Sequence, residues 1–121
     1  MSGMHIDELV LADATGVWAI RSTSTTVYYI DADGDLLLRQ ARAGSSRGFA
    51  DNRWAPLVLV EAVLGRDTGV IRVGDRHKYT YDYDPKGNQY GFWVQRLVTS
   101  IDYADVDELA QLPAFPQGDR L

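Results

Sequence analysis

His77–Tyr103 reads HKYTYDYDPKGNQYGFWVQRLVTSIDY and holds five of the chain's seven tyrosines. Tyr79, Tyr81 and Tyr83 alternate with Thr80, Asp82 and Asp84. That period of two predicts a strand with unlike faces. Asp84-Pro85-Lys86-Gly87 then fits a type I turn. Asp can bond backbone amides at the first position, Pro presets φ at the second, and Gly closes the turn. Tyr90 to Ile101 follows as a long partner strand, so the stretch predicts a central hairpin.

Upstream, Val70 to Val73 reads as a short strand, and Gly74-Asp75 turns into the hairpin. Leu57 to Leu64, LVLVEAVL, begins as a buried strand and ends in residues that also suit a helical turn before Gly65; strand is the expectation. Ala43 to Ala55 reads as a long loop broken by Gly44, Ser45, Ser46 and Gly48. Within it, Phe49 and Trp54 either pin the loop to the core or form a contact site with Arg47 and Arg53. Val17 to Ser22, Thr26 to Asp31 and Leu36 to Ala41 form a predicted three-stranded meander, with Asp33-Gly34 as a hairpin pair. Within Met1 to Gly16, Asp7-Glu8-Leu9-Val10-Leu11 fits a short helix or an edge strand, and Ala14-Thr15-Gly16 reads as a turn.

Downstream of the hairpin, Asp105-x-x-Glu108 matches a capping box, and Pro113 would stop the short helix. Residues 114–121 read as a flexible tail after a single globular β domain spanning 1–113. The expected fold is mainly β: one antiparallel curled sheet or small open barrel of about six or seven strands, with a short C-terminal helix.

The chain has 121 residues, 45% hydrophobic and 24% charged, which suits one domain. No apolar run approaches the roughly 20 residues that a membrane-spanning helix needs, so no membrane association is expected. There are no cysteines, which excludes disulfides and thiolate metal sites. MSGMHIDELV has no basic region ahead of an apolar one, so a cytoplasmic protein is expected. The net charge of −5 argues against general affinity for nucleic acid. Residues 39–78 nevertheless carry eight basic and four acidic side chains, or +4, against −9 for the remainder.

The acidic turns invite a metal reading and fail it. Counted from Asp31, the calcium-loop glycine position holds Leu36 and the glutamate position Arg42. Counted from Asp82, Gly87 fits, but Lys86 and Trp93 occupy ligand positions. His5 and His77 lack zinc spacing. Asp75 with His77 could act as an acid–base pair, although such a pair arises easily by chance. No nucleophile elbow, P-loop or dinucleotide loop occurs. No enzyme, metal or cofactor is therefore expected.

Trp18-x-Ile20-x-Ser22, Tyr28-Tyr29-Ile30-Asp31, Arg39 and Leu97-Val98-Thr99-Ser100-Ile101 resemble segments of small uncharacterised β-rich accessory proteins of actinobacteria and their phages. The resemblance covers about half the chain. It implies an accessory protein and carries over no catalytic residue. The expected function is a non-enzymatic module that binds a partner protein or self-associates. The contact candidates are Tyr79, Tyr81, Tyr83, Arg76, Lys78, Arg47, Arg53 and Trp54. The alternative is nucleic-acid binding through the basic 39–78 segment, with Tyr79, Tyr81 and Tyr83 stacking on bases.

Overall fold

The computed structural model describes residues 4–41, 52–65, 67–84 and 89–115. The protein is mainly β. Among the described residues the strands are β1 (His5–Ile6), β2 (Glu8–Val10), β3 (Val17–Ser22), β4 (Val27–Asp31), β5 (Leu36–Gln40), β6 (Trp54–Ala62), β7 (Val70–Arg72), β8 (His77–Asp84), β9 (Gln89–Val94) and β10 (Val98–Tyr103), followed by helix α1 (Val106–Ala110). Eight strands form one antiparallel sheet in the order β1-β10-β3-β4-β5-β6-β8-β9, and β2 pairs with β7 as a separate ribbon. The sheet is curled and is not a closed barrel.

Alternation explains the central strands. Trp18 and Ile20 of β3, Tyr28 and Ile30 of β4, Leu37 of β5 and Tyr79 and Tyr81 of β8 all enter one buried core on the concave side. Leu9 and Ile71, directly paired across the ribbon, join that core from β2 and β7. On the convex side, Val17, Ala19, Tyr29, Leu36, Leu38 and Trp54 make a second apolar layer, against which Leu109, Leu112 and Phe115 pack. The β3–β5 meander is thus covered on both faces. This is why its strands are almost wholly buried.

Three expectations need correction. The strand expected at 90–101 is two strands, because the chain leaves β8 after Val94 and reaches β3 through Gln95–Leu97. Gln95 turns inward: its amide Nε2 donates to the Ile20 carbonyl at 2.8 Å, and its Oε1 accepts from Tyr79 Oη at 2.6 Å. Next, β6 starts at Trp54, inside the segment expected to be a loop. Trp54 to Pro56 pair with β5, and Leu57 to Ala62 pair with β8, with a register break between Leu57 and Leu59. Finally, Glu108 completes only half of the capping box. Asp105 accepts the Glu108 N–H at 2.9 Å, but the Glu108 carboxylate goes to Tyr29 Oη and Arg21, each at 2.7 Å. The turn at 85–88, Phe49 and residues 116–121 lie outside the described residues.

Candidate interaction surface

The tyrosine row is interior. Tyr79 is fully buried and Tyr81 nearly so. Tyr79 stacks on Tyr28 with centroids 5.0 Å apart, and Tyr81 stacks on Trp93 at 4.0 Å. Tyr83 is half-buried against the same core. Burial pushes the Tyr79 phenol well above its usual range. These rings hold the concave face together, so Tyr79 and Tyr81 present no platform to a partner. Trp54 is likewise structural. Its Nε1 donates to the Pro113 carbonyl at 2.9 Å, and its ring meets Phe115 at 4.8 Å. Phe115 therefore belongs to the packed body, although residue 114 was expected to begin the tail. Arg53 is exposed beside Trp54, and Arg47 lies outside the described residues.

The basic segment is divided among several tasks. Arg39 sits over Trp93, 5.6 Å from the ring centroid. Arg72 pairs with Glu8 and Asp67 at the β2–β7 ribbon. Arg76 and Arg96 come together at one end of β9, where Lys78 is the cross-strand partner of Val94. Arg76, Arg96, Val94, Leu97 and Thr23 line an open hollow of about 630 Å³. Lys78 pairs laterally with Val94 and places its ammonium 4.7 Å from the Phe92 centroid.

The acidic turns serve the backbone. Asp31 Oδ1 accepts the Asp33 N–H, Asp33 Oδ2 accepts the Gly16 N–H, and Asp82 Oδ1 accepts the Asp84 N–H. His77 is fully buried. Its Nε2 accepts the Arg72 backbone N–H at 3.2 Å, so the neutral ring carries its proton on Nδ1, which has no partner among the described residues. Burial lowers its pKa, Asp75 opposes that shift, and Arg72 adds to it.

The surface that the tyrosine pattern concealed is the opposite face of the same hairpin. Tyr90, Phe92 and Val94 are 57%, 60% and 41% exposed, which is high for three consecutive outward positions on one strand. Cross-strand neighbours extend the patch: Phe92 pairs with Thr80, which pairs with Leu59. The β6 bulge leaves both Val58 and Leu59 exposed. Unlike the meander, this half of the convex face has no α1 over it.

β9 is also the last strand of the sheet. Gln95 N–H donates to the His77 carbonyl, so pairs 77/95, 79/93 and 81/91 are the ones that exchange hydrogen bonds with β8. The N–H and C=O groups of Tyr90, Phe92 and Val94 consequently point away from β8, along an edge that no other described strand covers. The strand QYGFWV contains no charge and no proline, the usual protections of an edge. At the other end of the sheet, β1 has only two residues. No protein-family model, curated protein or solved structure matches the chain.

Proposed function

We propose that the protein is a non-enzymatic interaction module that binds another polypeptide by adding a strand to its sheet at β9. One observation carries this reading: β9 offers backbone groups without a partner among the described residues, and an exposed apolar stripe, at the same three residues, Tyr90, Phe92 and Val94. Backbone bonds along such an edge supply affinity, and alternate side chains supply specificity. The test is site-specific photo-crosslinking in the native host. A photoreactive phenylalanine at position 92 yields polypeptide adducts, while the same group at exposed Thr99 on β10 does not. Equal labelling at both positions, or none at 92, sinks the proposal.

A second reading rests on Arg76 and Arg96 gathering at the end of β9 where Lys78 lies over exposed Phe92. Cationic side chains next to aromatic faces suit single-stranded nucleic acid. Absence of binding to single-stranded DNA or RNA at low salt removes this reading.

A further inference from the structure

We infer that the strand received at β9 is β9 of a second copy, in an antiparallel pair with a two-fold axis at Phe92. This rests on the strand-addition reading and names its occupant. The first argument is register. Only residues with outward backbone groups can bond across the new edge, and these are Tyr90, Phe92 and Val94. Placing Phe92 opposite its own copy sets Tyr90 opposite Val94 and Val94 opposite Tyr90. All three outward residues then pair, giving about six backbone hydrogen bonds. A two-fold interface needs such a self-complementary patch.

The second argument is charge. The open end of the β8–β9 hairpin carries Arg76, Lys78 and Arg96 against Asp75, and its turn end carries Asp82 and Asp84 against Lys86 in the sequence, so the two ends are of opposite sign, +2 and −1. β9 itself is neutral. An antiparallel partner reverses the hairpin, so the basic end of each copy runs beside the acidic end of the other. A parallel partner would set like ends together. The rows become Thr80–Phe92–Phe92–Thr80 at the centre, with Lys78–Val94–Tyr90–Asp82 on either side, reading from one copy to the other. Both sheets also bring their exposed apolar stripes onto the same face, where Phe92 meets Phe92.

The experiment uses the full chain. Sedimentation equilibrium between about 1 µM and 1 mM covers the range expected of a strand-pairing dimer. We expect a reversible dimer that Phe92→Lys abolishes, because two lysines would face each other at the axis. Arg96→Glu and Asp84→Lys each weaken the dimer, by roughly tenfold because the axis repeats every contact. The double variant recovers most of the loss. The chain is cysteine-free, so Phe92→Cys provides an independent reading. Under oxidation it forms a disulfide dimer, whereas Thr99→Cys does not. A dimer that ignores both the charge swap and Phe92→Cys overturns the inference by placing the interface elsewhere. A persistent monomer whose position-92 photo-adduct is a different polypeptide overturns the second copy while leaving strand addition intact. A monomer without adducts overturns both.

Discussion

Gly91 shows how closely the two strands of the hairpin pack on the inner face. A Cβ at this position would lie 3.0 Å from both Cζ and Oη of Tyr81 and 3.3 Å from Tyr83. An added methyl would press on the Tyr81 ring, which lies across β9 and stacks on Trp93. Gly91→Ala should destabilise the fold by about 1–3 kcal/mol, as overpacking of a tight site does, read from the urea midpoint. Tyr79→Phe removes the donor to Gln95 Oε1 and strands a buried acceptor. Its cost should also be about 1–3 kcal/mol. His77 sets a pH dependence. Its folded pKa is lowered below 6.5, chiefly by burial, so the unfolded chain takes up the proton first. The contribution is full above about pH 6.5 and is lost as pH falls from there through the lowered folded value. A urea midpoint should therefore drop between pH 7.5 and 5, and His77→Leu should flatten that drop. At the residue scale, alternation correctly put Tyr79, Tyr81 and Tyr83 on one face. It could not say which face is covered, because strand order sets that.

At the scale of elements, β3, β4 and β8 were readable because each has alternating faces or a β-branched and aromatic run, and β5 because the Asp33-Gly34 pair turns an apolar run back onto β4. β6 was harder. Pro56 and the polar residues before it look like loop, yet Pro56 sits where β6 passes from one ladder to the next, a place that tolerates a missing N–H. The break between β9 and β10 was hidden because Gln95 looks like a surface residue. Its partners, Tyr79 and Ile20, lie 16 and 75 positions away. The Tyr90-x-Phe92-x-Val94 stripe was visible as a pattern, but its exposure follows from β9 being the last strand. Helix α1 is short and bound by one side-chain cap. Asp105→Ala should cost about 1 kcal/mol and raise hydrogen exchange over Val106–Ala110 first.

At the scale of the whole molecule, coverage is uneven. α1 and Phe115 shield the convex face of the meander and Trp54 at the start of β6, and among the described residues no such cover lies over the rest of β6, β8 and β9. Net charge of −5 would keep copies apart, but the sign is not uniform across the β8–β9 hairpin. Because the proposed pairing joins oppositely charged ends, added salt should weaken it several-fold between about 0.05 and 0.5 M, as screening predicts. An association that strengthens with salt would instead point to the apolar stripe acting alone.

Gln95 also gives the molecule a kinetic character. Its side chain ties β8 to β3 across the mouth of the curl, joining residues 75 apart in the chain. The β3–β4, β4–β5, β5–β6, β6–β8 and β8–β9 pairings link strands near in sequence, whereas the β1–β10, β3–β10 and β2–β7 pairings join distant parts of the chain, as the Gln95–Ile20 bond does. That bond, unlike the one to Tyr79, can form only after both halves of the chain exist, so it belongs to the late side of the folding barrier. Gln95→Leu should then speed unfolding while leaving refolding nearly unchanged, giving a chevron whose unfolding arm alone moves. One inward-turned amide would thus set how long the folded molecule lasts more than how quickly it is reached.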